Sequence, residues 1–365
     1  MRDICPITRI DHLEFYVGNA KQAAFYYGNA FGFVNTAYRG LETGSRDLAS
    51  YLMEQGDIRF VLTTPLHPDH PAAAHIDRHG DGVAAIALEV PDVDEAFRGT
   101  TARGAIPALE PVSTRDECGV LRQAAIRAYG DTMIKFVGRG KYRGGFAPGF
   151  RPTGTTASAR DGVGLLAIDH IVGNVELGMM ERWVTFFAET MGFTELMHFD
   201  DKAISTEYSA LMSKVMQDGT GRVKFPINEP ATGKRKSQIQ EYLEYHRGPG
   251  VQHIACSTPD IVETVFNLKS RGVEFLRIPS TYYEDLESRV GRINEPIDKL
   301  AELGILVDRD DEGYLLQIFT HGVEDRPTLF FEIIERHGAR GFGEGNFKSL
   351  FEAIEREQAR RGNLV

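Results

Sequence analysis

Two histidines and a glutamate, His170, His253 and Glu332, are the residues of this chain whose types and settings best suit chemistry. Glu332 stands alone in the apolar run Leu329-Phe330-Phe331-Glu332-Ile333-Ile334. An ionised carboxylate buried there costs on the order of several kcal/mol unless it meets a cation or a hydrogen-bonding partner. A metal ion meets that need. Two imidazoles and one carboxylate on one face of a metal leave three positions open, the arrangement of iron(II) oxygenases that take both substrate and O2. Strand alternation puts Phe330, Glu332 and Ile334 on one face of residues 328–335, and Gln317 with Phe319 on one face of residues 314–320. The pattern implies a cavity lined by aromatic rings with a few amides at set points.

The elements that position these residues come from a sequence used twice. Ile10-Asp11-His12 recurs as Ile168-Asp169-His170, and Gly32-Phe33 recurs as Gly192-Phe193. Gly82-Val83, Pro91-Asp92 and Arg103-Gly104 recur as Gly250-Val251, Pro259-Asp260 and Arg271-Gly272. The slowly drifting offset marks two homologous halves with small insertions in the second. The Gly-, Pro- and Thr/Ser-containing stretch 138–162 has linker composition and places the join near residue 155. In this alignment Ala85 stands where the second half has His253. More loosely, Phe136 stands where it has Glu332. Only His12 keeps its counterpart, His170. The first half therefore lacks two members of the set. His12, with no carboxylate partner beside it, is expected to be structural.

Each half reads as strand, helix, strand. Strands are expected at 10–17, 83–90, 165–172, 251–257, 313–320 and 328–335; helices are expected at 20–30, 92–103, 179–191 and 260–271. A final helix is expected over 347–361, with Leu350, Phe351 and Ile354 as its apolar stripe. Paired modules without a phosphate loop predict an α+β protein of curled mixed sheets. The Gly-rich stretch 341–345 has the wrong spacing for a dinucleotide loop and reads as a turn before the last helix. His67, His70, His75 and His79 read as a solvated loop, and Lys234-Arg235-Lys236 as a solvated turn.

Composition narrows the class. With 42% apolar and 25% charged residues the chain has the balance of a globular protein. A net charge of −11, from 41 basic and 52 acidic residues, argues against nucleic acid or an anionic membrane as partner. Cys5, Cys118 and Cys256 are few and far apart, as expected of reduced thiols in the cytoplasm. No stretch reaches the ~18 apolar residues of a membrane span.

Longer motifs carry a family resemblance. Pro226-Ile-Asn-Glu-Pro through Gln238-Ile-Gln-Glu-Tyr242, Gly250-Val-Gln-His253 and Pro279-Ser-Thr-Tyr-Tyr283 resemble the 4-hydroxyphenylpyruvate dioxygenases. So do Gly313-Tyr-Leu-Leu-Gln-Ile-Phe-Thr320, Asp325-Arg-Pro-Thr-Leu-Phe330 and Gly341-Phe-Gly-Glu-Gly-Asn-Phe347, and in the first half Tyr38-Arg-Gly-Leu-Glu-Thr-Gly-Ser-Arg46. The resemblance implies the two-domain vicinal oxygen chelate fold, each domain of paired βαβββ modules forming a curled, barrel-like mixed sheet. Residues 1–155 would form the metal-free domain, and 156–365 the catalytic domain with a C-terminal lid helix. It implies Fe(2+) on His170, His253 and Glu332. Ser213, Asn228, Gln238, Gln252 and Gln317 would act on substrate, and Phe319, Phe330, Phe342, Asn346 and Phe347 would surround its ring. Gln252 adjoins His253, so strict alternation points it away from the site. It is expected either to act from behind the ligands or to sit where the strand twists.

The implied reaction is O2-dependent conversion of 4-hydroxyphenylpyruvate to homogentisate and CO2 in tyrosine and phenylalanine catabolism. The enzyme would be cytoplasmic and homo-oligomeric, a dimer or tetramer. Three alternatives share the fold: 4-hydroxymandelate synthase, an extradiol catechol dioxygenase, and an inactive binding protein.

Overall fold

The computed structural model describes residues 4–140, 142–157, 162–199, 210–231 and 236–362. The first half contains β1 (Arg9–Tyr16), β2 (Val34–Arg39), β3 (Leu48–Gln55), β4 (Ile58–Pro65), β5 (Gly82–Glu89), β6 (Pro107–Asp116), β7 (Gly119–Arg127), β8 (Met133–Gly138) and the short β9 (Arg151–Pro152). The second contains β10 (Ala167–Asn174), β11 (Thr194–Phe199), β12 (Ala210–Gln217), β13 (Lys224–Ala231), β14 (Gly250–Ser257), β15 (Leu306–Arg309), β16 (Tyr314–Phe319) and β17 (Phe330–His337). The strand order is β6-β7-β8-β5-β1-β4-β3-β2-β9 in one sheet and β15-β16-β17-β14-β10-β13-β12-β11 in the other. Apart from β9 the two orders are identical, so the repeated sequence is a repeated topology. Both sheets are mixed: β1 runs parallel to β4 and antiparallel to β5, and β10 does the same with β13 and β14.

Helices α1 (Ala20–Phe31), α2 (Pro71–His79) and α3 (Val93–Thr101) belong to the first half. The second adds α4 (Met180–Phe186), α5 (Gln238–His246), α6 (Ile261–Ser270), α7 (Leu286–Val290), α8 (Ile297–Leu303) and the terminal α9 (Phe347–Arg360). Local signals start and stop them. Asp92 and Asp260, at matching positions, accept the backbone N–H of Glu95 and Glu263 at 2.9 Å in each case. Gly32 and Gly192 end the first helix of each half at φ 72° and 77°, which a side chain would disfavour. The expected single helix over 179–191 is instead α4 followed by a π-helical turn, Phe187–Met191.

Two other expectations change. The stretch 138–162 is not all linker: Tyr142 and Phe146 are buried, and β9 pairs with β2. Residues 142–152 therefore complete the first half; Lys141 and residues 158–161 lie outside the described residues. The histidine-rich segment is a solvated loop only at its start, where His67 is exposed ahead of α2. His70 caps α2, and His79 is buried between Asp131 (2.8 Å) and the His246 carbonyl (2.6 Å) of the other half. Of the basic run, Lys234 and Arg235 lie outside the described residues, while Lys236 pairs with Glu244 at 2.8 Å.

One apolar core runs through both halves. Phe31 of α1 packs on Phe331 of β17 with ring centroids 4.9 Å apart, and Tyr27 and Phe60 reach the same ring at 6.0 Å. No helix among the described residues is long and apolar enough to cross a membrane.

Candidate metal centre and substrate cavity

His170, His253 and Glu332 lie on β10, β14 and β17, three strands that are neighbours in the second sheet. Their donor atoms converge within 4.8 Å of one another, and all three residues are buried. Glu332 Oε2 lies 3.1 Å from His170 Nε2 and 3.4 Å from His253 Nε2.

Two β-bulges produce this geometry. In the β10–β14 ladder Ile168 pairs with Cys256 and His170 with Ala255, so Asp169 is an extra residue. Val172 pairs with His253 and Gly173 with Val251, so Gln252 is extra in the other strand. A bulge re-aims a side chain that alternation would turn away. Asp169 Oδ1 thereby accepts the Nδ1–H of His170 at 2.7 Å, and Gln252 Oε1 lies 3.0 Å from His253 Nδ1. With Nδ1 of each ring engaged, Nε2 of each ring faces Glu332. Gln252 is thus in the site, through the irregularity that the adjoining sequence positions required.

Behind His170, Arg336 grips Asp169 with two 2.8 Å hydrogen bonds. Arg336 also donates to the Gly341 carbonyl at 2.6 Å and lies over the Phe342 ring. Sequence reasoning did not single out this pair; its one signal was the aspartate repeated before both His12 and His170.

Electrostatics suit a cation. Burial pushes the Glu332 carboxyl upward, but the two imidazoles pull it down further, to about 2. Burial disfavours a charged His170, yet Glu332 and Asp169 outweigh it and its pKa is raised. For His253 burial prevails over the same glutamate, and its pKa is lowered. Two imidazole nitrogens and an ionised carboxylate, each ring oriented by a second group, fit a divalent first-row transition metal.

The three residues form one wall of a cavity that is partly open to solvent. Ser213, Asn228, Gln238 and Gln252 supply its polar points; Phe319, Phe330, Phe342 and Phe347 supply its rings. His253 stacks on Phe330 at 4.8 Å, and the Phe342 ring meets His170 edge-on at 4.9 Å. Two residues expected here are placed elsewhere. Asn346 is buried against Tyr282, whose hydroxyl it accepts at 2.6 Å. Gln317 is fully buried beneath Gly343, outside the lining, and neither of its amide atoms has a hydrogen-bond partner among the described residues. Val172, Phe199 and Val215 line the cavity without having been anticipated; Leu350 and Ile354 of α9 close it.

In the first half the structural counterpart of Glu332 is Lys135, not Phe136. Ala87 pairs with Lys135 as Ala255 pairs with Glu332. The expectation of a His12 without carboxylates is also corrected: Asp11 accepts its Nδ1–H at 2.6 Å.

Residues 11–121 and 167–318 each match models of the Glyoxalase/Bleomycin resistance protein/Dioxygenase superfamily. The chain is 48% identical to a 4-hydroxyphenylpyruvate dioxygenase of Aspergillus fumigatus, over 97% of this chain and 94% of that one. It is 49% identical to one of Dictyostelium discoideum, over 97% and 99%. Among solved structures, a triple mutant of 4-hydroxymandelate synthase from Streptomyces coelicolor superposes with a TM-score of 0.87 at 32% identity, covering 97% of this chain and 99% of the other. The chain belongs to the 4-hydroxyphenylpyruvate dioxygenase family, with both halves built on the vicinal oxygen chelate fold.

Proposed function

We infer that the protein is an Fe(II)-dependent dioxygenase that converts 4-hydroxyphenylpyruvate and O2 to homogentisate and CO2. The observation that carries this is the convergence of two imidazoles and one carboxylate on a cavity walled by phenylalanines and a few amides. Iron held by His170, His253 and Glu332 would supply sites for the substrate's 2-oxo acid and for O2, and the redox capacity to activate O2. The protein's part is placement. Phe319, Phe330 and Phe342 flank the ligands and hold an aromatic ring beside them. Ser213 and Asn228, paired across β12 and β13, face the ring's far end with Gln238, and orient a phenol by hydrogen bonds. Gln252 holds the His253 ring and borders the cavity. Leu350 and Ile354 exclude water over the site. Asn346, held by the Tyr282 hydroxyl, fixes the turn between Phe342 and Phe347, and Gln317 lies beneath that turn.

The reading includes a cytoplasmic setting, which three cysteines outside any disulfide suit, and self-association, for which the exposed edge strand β6 with Leu109 and Val112 is the candidate surface. Anaerobic loading with Fe(II), then O2 uptake and product identification, tests the reaction. Homogentisate is expected; 4-hydroxymandelate would assign the chain to the other chemistry of this fold. Glu332→Ala should abolish metal binding and turnover, and His12→Ala should leave metal binding intact. The reverse pattern refutes the ligand assignment.

A further inference from the structure

The first half keeps most of the surroundings of a metal site, and its described residues contain no such triad. The supporting apparatus is repeated nearly atom for atom. Arg139 grips Asp11 at 2.7 and 2.6 Å, as Arg336 grips Asp169. Asp11 holds His12 Nδ1 at 2.6 Å, as Asp169 holds His170 Nδ1 at 2.7 Å. The Phe146 ring meets His12 edge-on at 5.2 Å, as Phe342 meets His170 at 4.9 Å. Arg139 lies over Phe146 and donates to its carbonyl; Arg336 lies over Phe342 and donates to the Gly341 carbonyl. The bulges recur too. Ile10 pairs with Leu88 and His12 with Ala87, and Glu14 pairs with Ala85 and Phe15 with Val83. Even the polar pair is shared: Ser50 and Thr63 face each other as Ser213 and Asn228 do.

At the centre three positions differ together, and Ala84 stands where Gln252 holds the His253 ring. Ala85 replaces His253, Lys135 replaces Glu332, and Glu14 replaces Val172. The carboxylate has moved from the β17 position to the β1 position. There it sits across the ladder from Ala85, beside the space an imidazole would fill. The strand that lost the carboxylate delivers an ammonium instead. Lys135 and Glu14 form a close ion pair, with side chains only 19% and 9% exposed. Thr63 donates to the other Glu14 oxygen at 3.1 Å and Ser50 bonds Thr63 at 3.0 Å, so the carboxylate is fully engaged.

We propose that Lys135 is a tethered cation: its ammonium takes, in the first half, the place a divalent metal takes in the second, within a shell that still suits a metal. This rests on the metal reading of His170, His253 and Glu332. An ordinary core ion pair would not be flanked by the Asp11, Arg139 and Phe146 set that matches the support of His170. The exchange removes the dependence of this half on a metal supply while leaving its buried carboxylate neutralised.

The test starts from a His253→Ala/Glu332→Ala background, which disables the second-half site, and adds Glu14→Val, Ala85→His and Lys135→Glu. Cobalt(II) is titrated in, and its visible absorption and bound stoichiometry are read. The wild type should bind one equivalent, the background none, and the rebuilt variant one. A wild type that binds none refutes the metal reading itself. A wild type that binds one beside a folded rebuilt variant that binds none overturns only the tethered cation.

A second measurement covers misfolding of the rebuilt variant. In the same background Lys135→Ala should lower Tm by on the order of 5–10 °C, since it strands a buried carboxylate. Cobalt(II) should restore much of that loss, and sodium chloride at equal ionic strength should not. No recovery with cobalt(II), or equal recovery with sodium, overturns the inference.

Discussion

Arg336→Met gives the sharpest test of how the centre is held. Arg336 touches no candidate ligand directly. It gives Asp169 two hydrogen bonds of 2.8 Å, and Asp169 fixes His170 through Nδ1. Arg336 and Asp169 are 17% and 9% exposed, so the pair is almost out of water. Breaking one partner of a buried pair costs about 3–5 kcal/mol. With the small exposure of Arg336 and the length of Met filling part of the space, about 2–4 kcal/mol of folding stability is expected to go. A group that orients a metal-bound histidine is worth about 10–100-fold in metal affinity. Chelator competition with cobalt(II) reads the affinity and urea unfolding reads the stability. Arg336→Met/Asp169→Asn should regain part of the stability, because no stranded charge remains, but not the affinity, because an amide is a weaker acceptor for His170. Affinity within twofold of wild type in Arg336→Met, in a folded protein, would refute the reasoning.

Three further outcomes can be checked. Deleting residues 346–365 removes Phe347, Leu350 and Ile354 from the cavity wall. It should lower kcat/KM by about 100-fold or more through water entry and lost ring contacts, with a much smaller loss of Tm; unchanged turnover would exclude a lid. Burial, with Asp81 and Asp325 close by, pushes Glu324 from its ordinary 4.5 up to about 8. Between those values the folded chain keeps a proton that the unfolded chain has lost, so stability falls as pH rises through this window, and Glu324→Gln should flatten the decline in urea midpoints from pH 5 to 8.5. Phe31→Ala opens a gap against Phe331 and should cost about 3–5 kcal/mol. Because the gap lies between the halves, both should melt together in calorimetry; two separated transitions would contradict a shared core.

The grouping of His170, His253 and Glu332 was more legible in the sequence than the packing that holds it. His170, His253 and Glu332 could be read because a lone carboxylate among apolar residues needs a partner, and because the repeat exposes what only one half has. Caps such as Asp92 and Asp260 act within one helical turn and left local marks. Bulges leave no comparable mark, so the strand period put Gln252 on the wrong face. The Asp169–Arg336 bond joins residues far apart in sequence, and no spacing announces it. Insertions between β14 and β17 blurred the alignment by one residue and hid Lys135 behind Phe136. Glycine and proline content masked Phe146, whose burial depends on the fold of the whole half. Gln317 had the right face but not the right depth, since the turn at Gly343 covers it.

Phe330, Phe331 and Glu332 are three consecutive residues with three separate obligations. The first walls the cavity, the last is a candidate ligand, and the one between is embedded among Tyr27, Phe31 and Phe60 of the other half. The strand cannot shift for one of them without shifting for all. The half whose described residues hold no triad is therefore the foundation on which the strand carrying Glu332 is levelled. That gives selection a reason to preserve it for its shape long after any chemistry of its own was gone. A gene cut between the two halves would lose the alignment of the site before it lost any residue belonging to it.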